Sequence, residues 1–108
     1  MTVKELSVAA DFKILTLPSD RTVEGAYVGD LLSWVMGRAR EKQVWITIMS
    51  NLNVVAVASL IDLSAVIFAE GVRPDDDVIE VARSKGINLL LSPLPSYETA
   101  LRLSELLK

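Results

Sequence analysis

Residues 44–69, VWITIMSNLNVVAVASLIDLSAVIFA, decide the fold because they join two strand patterns through a helical one. Val44 to Met49 is apolar on both faces except at Thr47, which is typical of a strand covered on both sides. Leu63 to Ala69 has the same character. Between them, apolar residues recur at helical spacing: Val54, Val57, Ala58 and Ile61. The β-branched content there also fits a strand, but Asn53 as cap and a Leu52–Val57 staple favour a helix.

The alternation continues to the end of the chain. Pro74 and the aspartates at 75–77 predict a helix start, and Gly86 suits the position after its end. Ile87 to Leu91 predicts another strand, and Ser96 is placed as the cap of a last helix with an apolar stripe at Ala100, Leu103 and Leu107. Residues 44–108 therefore have the order β-α-β-α-β-α, which favours parallel strands with right-handed crossovers.

The preceding part of the chain adds a helix, two strands and a second helix. Thr2 and Glu5 form a capping-box pattern before a helix that runs to about Ala10. Strands are predicted at 13–17 and at 23–28, with Gly25 as a candidate bulge. Asp30 is placed as the cap of a helix whose predicted inner face is Leu32, Val35, Met36 and Ala39. The prediction is one small α/β domain over residues 1–108, with a mostly parallel sheet of about five strands and covering helices.

Composition excludes several classes of chemistry. The 108 residues contain no His and no Cys, which leaves no residues for a Ser-His-Asp triad, a thiolate nucleophile or a zinc site with nitrogen or sulfur ligands. The net charge of −3 has the wrong sign for a general nucleic-acid binder. The sequence also lacks the Gly-rich phosphate-binding patterns of ATP and dinucleotide sites. We therefore expect no enzyme activity, no cofactor and no nucleic-acid partner.

The mean hydropathy of +0.39 raises the question of a membrane span. The longest apolar run, Val54 to Ala69, has sixteen residues and carries Asp62 near its middle. A bilayer span takes about 20 apolar residues, and a central Asp costs about 2.5–3.5 kcal/mol. The N-terminal segment has Glu5 and Asp11 and no apolar h-region, so no signal peptide is expected. These features predict a cytoplasmic protein without a membrane partner.

Candidate ligand residues are expected where parallel strands end, because ligands gather there near helix N-termini. Ser50, Asn51 and Asn53 follow the first of these strands, Glu70 to Asp75 follow the second, and Ser92 and Ser96 follow the last. Small polar side chains at a helix start are suited to holding a phosphate or a base. Capping and turn formation alone also explain such residues, and both interpretations remain open.

Other chemistry-bearing residues have simpler explanations. The aspartates at 75–77 resemble a metal cluster, but acids in a first helical turn are stabilised by the helix dipole, and no metal site is predicted. Trp34 and Trp45 are expected in the core or in a dimer interface rather than as stacking platforms. The remaining carboxylates considered for acid–base catalysis have no evident partner in the sequence: Asp20, Glu24 and Asp62.

Four segments together resemble the DRTGG domain family, whose members are also similar to the N-terminal domain of HPr kinase/phosphorylase. These segments are residues 27–33 (YVGDLLS), 44–48 (VWITI), 53–58 (NVVAVA) and 93–103, which includes Tyr97-Glu98-Thr99-Ala100. The family's eponymous motif is expected after Met49, where this chain has Ser50-Asn51-Leu52-Asn53. Asp20-Arg21-Thr22 matches part of that motif at a different place in the chain.

The resemblance implies a regulatory or accessory domain of a kind often fused to phosphotransacetylases or to CBS-domain pyrophosphatases, and often dimeric. The expected function is a non-catalytic homodimer that binds a small regulatory ligand, with a nucleotide as one candidate, at the carboxyl ends of its strands. The kinase activity of HPr kinase is not implied, because its phosphate-binding loop belongs to a different domain. The alternative is an interaction module that docks on a metabolic or redox enzyme through apolar surface around Trp34 or the last helix.

Overall fold

A five-stranded sheet forms the centre of the molecule in the computed structural model, which describes all 108 residues. The strands are β1 (Lys13–Thr16), β2 (Gly25–Val28), β3 (Gln43–Thr47), β4 (Ala65–Phe68) and β5 (Leu89–Leu91), and their order is β1-β5-β4-β3-β2. β2 to β5 are parallel, and β1 is antiparallel to β5. The predicted α/β class and the mostly parallel sheet are confirmed.

Five helices accompany the strands: α1 (Val3–Ala10), α2 (Leu32–Arg38), α3 (Leu52–Ile61), α4 (Asp76–Ser84) and α5 (Ser96–Leu106). The capping box at α1 is confirmed, since the Thr2 hydroxyl accepts from the Glu5 N–H and the Glu5 carboxylate accepts from the Thr2 N–H. Gly86, just after α4, has a positive φ of 74°, as a residue in that position often does. Helix rather than strand is the structure of residues 54–61.

The helices cover the sheet on both faces, so the strands are apolar on both sides. One buried cluster joins residues of α2, α3 and α4 to one face of the sheet, which includes Trp45, Val66, Phe68 and Leu89. The other joins α1 and α5 to the opposite face, which includes Val44, Ile46, Ala65, Ile67 and Leu90. Successive residues of β3 and β4 alternate between the two clusters, as the strand period requires.

The apolar run 54–69 is divided between α3 and β4 rather than forming one long helix. Asp62 adopts the left-handed conformation with φ 62° and ends α3. Its carboxylate lies 3.0 Å from the guanidinium of Arg21. Among the helices, none combines the length and the apolar character needed to cross a bilayer.

Two predicted helix caps are wrong by one or two residues. Asn51, not Asn53, caps α3, and its side chain accepts the Asn53 N–H at 3.0 Å. Leu52 therefore lies inside α3, and the predicted staple does not exist. Ser96 is the first residue of α5 after Pro95, which makes no side-chain cap. Ser, Asn and Asp are all good caps, so composition does not distinguish neighbouring candidates.

Asp30 is also placed wrongly by the sequence analysis. The N-cap of α2 is Leu31 without a side-chain bond, while the Asp30 carboxylate accepts from the Thr47 hydroxyl at 2.7 Å and from the Ile48 N–H at 3.0 Å. Asp30 therefore joins the ends of β2 and β3. On α2, Met36 is 49% exposed rather than part of the inner face. The bulge proposed at Gly25 is absent from β2, and the irregular register lies between Ile14 and Thr16 of β1.

Candidate functional site

A polar cleft lies at the carboxyl edge of the sheet, where α3 and α4 begin. Because β3 and β4 are parallel neighbours, the helices that follow them start side by side at this edge. The cleft has a volume of about 490 Å³ and is lined by residues from both helix starts: Ser50, Asn51, Leu52, Asn53, Asp75, Asp77 and Val78. Three of the predicted ligand residues therefore lie together.

The wall formed by the start of α3 presents hydrogen-bond donors. The Asn51 side-chain oxygen is occupied by the Asn53 N–H, and the Asn51 carbonyl accepts the Val54 N–H at 3.1 Å. The Leu52 N–H has no acceptor in the chain, as is usual in a first helical turn. The Asn53 amide group is exposed at the mouth of the cleft. This wall suits an anionic or hydrogen-bond-accepting group.

The opposite wall, at the start of α4, carries carboxylates. The aspartates differ in their partners: Asp76 forms an ion pair with Arg73 at 3.0 Å, and Asp77 accepts the Val78 N–H at 3.0 Å. Asp75 is the N-cap residue and its side chain makes no cap bond. Asp75 and Asp77 face the cleft, whereas Asp76 is not among its lining residues. This wall suits hydroxyl or amino groups that donate hydrogen bonds.

Ser92 and Ser96 do not line this cleft. Ser92 is fully buried, and its hydroxyl lies 2.8 Å from the Thr99 hydroxyl and accepts the Leu94 N–H at 3.2 Å. Ser96 is the half-buried first residue of α5. The Ser92 hydroxyl therefore holds the turn between β5 and α5.

Backbone hydrogen bonds join the loops at the carboxyl ends of β4 and β5. The Ser92 N–H donates to the Phe68 carbonyl at 2.8 Å. Beyond the strands, the Gly71 N–H donates to the Ser92 carbonyl at 2.9 Å, and the Glu70 N–H donates to the Leu94 carbonyl at 2.8 Å. α4 and α5, which follow β4 and β5, lie on opposite faces of the sheet. Open sheets usually bind ligands at the strand ends between two such helices. In this chain the two hydrogen-bonded loops lie at that position.

An apolar rim adjoins the β2 and β3 side of the same edge. Its five residues are each 45–57% exposed: Val28, Leu31, Trp34, Ile48 and Leu52. The guanidinium of Arg38 lies 3.9 Å from the centre of the Trp34 ring and covers one of its faces. Leu52 belongs to both the rim and the cleft. Trp34 is therefore a surface residue, whereas Trp45 is fully buried as expected.

None of the carboxylates considered for catalysis lines the cleft. Asp20 accepts the Lys4 N–H at 3.0 Å, and Glu24 lies 3.6 Å from the Lys42 ammonium. Asp62 pairs with Arg21. Each of the three therefore has a backbone N–H group or a cationic side chain as its partner.

Sequence reasoning places Asp75 in a loop at this edge of the sheet but selects neither Asp75 nor Asp77 as a ligand residue. The signal was present, because the aspartates open the helix that follows the strand next to β3. The helix dipole alone is a sufficient reason for acidic residues in a first helical turn. For that reason the sequence does not predict that these aspartates lie beside Asn51 and Asn53.

Comparison with protein-family models finds no match, and comparison with curated proteins finds none either. Among solved structures, the chain is similar to the CBS and DRTGG domains of the regulatory region of Clostridium perfringens pyrophosphatase, a structure complexed with the activator diadenosine tetraphosphate. The TM-score is 0.74 at 13% sequence identity, over 94% of this chain and 45% of that one. The chain thus spans less than half of that regulatory region, and the match supports a fold related to that of the DRTGG domain.

Proposed function

We propose that residues 1–108 are a DRTGG-like regulatory or accessory domain that forms a homodimer, has no catalytic activity and binds a small regulatory ligand in the cleft between α3 and α4. The observation that supports it is the cleft itself, where two helix starts meet with donors on one wall and carboxylates on the other. The proposed site comprises Ser50, Asn51 and Asn53 together with Asp75 and Asp77.

The contrast between the two walls favours a nucleotide as the ligand. A phosphate group fits the N–H groups and amide side chains at the start of α3, where the helix dipole favours negative charge. Ribose hydroxyls or a base amino group fit Asp75 and Asp77, which accept hydrogen bonds. A bare polyphosphate lying against the α4 wall would be repelled by the carboxylates, so the phosphates belong at the α3 wall.

The structural similarity supports the same proposal at the level of fold. The Clostridium perfringens regulatory region is described in complex with a dinucleoside polyphosphate activator. A related fold in this chain is consistent with a regulatory role of the kind that the DRTGG resemblance implies.

A thermal-shift screen with adenine and guanine nucleotides tests the proposal. At about ten times its Kd, a ligand stabilises the folded state by roughly 1.4 kcal/mol, which raises Tm by about 6 °C for a domain of this size. Asn53→Asp should largely abolish this shift because it places a negative charge at the phosphate position, while the helix dipole preserves the stability of the free protein.

The control for that variant is Ser59→Asp, which adds the same charge at the other end of α3 and should leave the ligand-induced shift intact. Flat melting temperatures with every nucleotide at millimolar concentration would contradict the nucleotide proposal. An equal loss of the shift in both variants would place the ligand outside the cleft.

The apolar rim supports a second candidate function. Five half-exposed apolar side chains at one edge of a small domain are typical of a protein-binding surface. In this alternative, the domain docks on a metabolic or redox enzyme through the rim around Trp34. It predicts no response to nucleotides, together with co-purification of one defined enzyme that is lost in Trp34→Ala.

A further inference from the structure

The two edges of the sheet differ in their protection against pairing with another strand. β1 carries Lys13 and the register irregularity between Ile14 and Thr16, and both features discourage pairing. β2, with the sequence GAYV, has neither charge nor proline and pairs with β3 in unbroken register. The edge formed by β2 is therefore the one that is open to a further strand.

The backbone groups that β2 presents to this edge follow from its pairing with β3. The Gly29 N–H donates to the Ile46 carbonyl at 3.2 Å. Alternate residues of a strand in a parallel pair direct their N–H and C=O groups to the same neighbour, so the backbone groups of Tyr27 also face β3. The N–H and C=O groups of Ala26 and Val28 then point away from the sheet. Both residues are exposed.

We propose that β2 of one protomer pairs in antiparallel orientation with β2 of a second copy, so that two five-stranded sheets form one continuous sheet. A two-fold axis at Tyr27 places Ala26 opposite the partner's Val28 and Val28 opposite the partner's Ala26. These are the positions at which opposed residues exchange both backbone hydrogen bonds. This inference rests on the proposed homodimer and names its interface.

The surfaces beside β2 offer apolar area that such a dimer can cover. A groove of about 480 Å³ runs between the strand and α5, and most of its lining residues are apolar: Ala26, Val28, Ala100, Leu103 and Leu107. Val28 also belongs to the apolar rim, which makes the two surfaces continuous. Stable dimers bury roughly 800 Å² per partner, about one seventh of the 5587 Å² surface of this chain.

The charges at the ends of β2 are compatible with a second copy in this register. Glu24 lies 3.6 Å from Lys42 at one end of the strand, and Asp30 lies beyond the other end. The two-fold axis brings Asp30 level with the partner's Glu24 and the ammonium of the partner's Lys42. Each end of the paired β2 strands therefore has one lysine ammonium group beside two carboxylates. Antiparallel pairing of identical strands also closes the assembly at two chains.

Disulfide crosslinking tests the register directly, because the chain contains no other cysteine. In the proposed dimer the two residues at position 27 form a pair with Cα atoms about 4.5 Å apart, within the range that a disulfide bridges. Tyr27→Cys should give a covalent dimer under mild oxidation with diamide. Leu60→Cys, 71% exposed on α3, is the control and should stay mainly monomeric on a non-reducing gel.

If Tyr27→Cys does not fold, a mixture of Ala26→Cys and Val28→Cys serves instead, and the mixture should crosslink more than either variant alone. Light scattering of Ala26→Lys should then show a folded monomer at concentrations where wild type and Ala9→Lys are dimers. A wild-type monomer across the micromolar range overturns the homodimer itself. A wild-type dimer that persists in Ala26→Lys, with no crosslinking at 26–28, overturns the β2 interface and leaves the homodimer standing.

Discussion

Replacing Trp45 by Ala should lower the free energy of unfolding by about 3–5 kcal/mol, the range for removing a large aromatic side chain from a packed core. Trp45 lies in β3, is fully buried and belongs to the cluster beneath α2, α3 and α4. Its indole N–H also donates to the Gly29 carbonyl at 2.7 Å, which attaches the segment after β2 to the centre of the sheet. The substitution therefore creates a cavity and leaves that carbonyl without its partner.

The second tryptophan provides the control in a urea unfolding experiment. Trp34 is 53% exposed, and Trp34→Ala should cost less than about 1 kcal/mol because little packed volume is lost. In Trp34→Ala the remaining fluorescence comes from buried Trp45 and should shift strongly to the red on unfolding. Equal destabilisation by the two substitutions would contradict the assignment of one tryptophan to the core and the other to the surface.

Asn88→Ala should destabilise the fold by about 2–3 kcal/mol, because it leaves backbone groups without partners and each buried one costs about 1–3 kcal/mol. Asn88 is buried just before β5. Its amide nitrogen donates to the carbonyls of Ser19 at 2.6 Å and Ser64 at 2.9 Å, and its oxygen accepts the Ser19 N–H at 3.3 Å. One side chain thus joins the loop after β1 to the residue before β4.

Asn53→Ala is the matched control for that substitution, since Asn53 is exposed and makes no side-chain hydrogen bond in the chain. It should change the unfolding free energy by less than about 0.5 kcal/mol, as surface substitutions usually do. Chemical denaturation of the two variants beside wild type measures the difference. If the unfolding free energy of Asn88→Ala also lies within about 0.5 kcal/mol of the wild-type value, the Asn88 hydrogen bonds contribute little to stability.

The parallel core of the fold was predictable because its signal is local and repeated. β3, β4 and β5 are short apolar segments separated by helical periodicity, so pattern and chain length together leave few topologies. The position of β1 as an antiparallel edge next to β5 depends on pairing across most of the chain. No local pattern in residues 13–16 carries that information.

The candidate site was predictable only in part, because hydrogen-bond partners are chosen by tertiary structure. Asn51 and Asn53 were identified as neighbours of one helix start, but which of them caps α3 depends on where the loop after β3 ends. The side chain of Ser92 points to Thr99, a contact that only the position of α5 creates. Asp30 likewise bonds Thr47 across the sheet instead of its own helix.

The most direct test of the account is a titration of the isotope-labelled protein with adenine and guanine nucleotides, followed by two-dimensional amide NMR. We expect saturable shifts at the amides of residues 50–53 and of Asp75, Asp77 and Val78, because these residues line the cleft. The Ser92 and Ser96 amides should move little, since neither residue lines the cleft and the Ser92 hydroxyl is bonded within the turn before α5. Shifts concentrated at 92–96, or no saturable shift at millimolar nucleotide, would contradict the account.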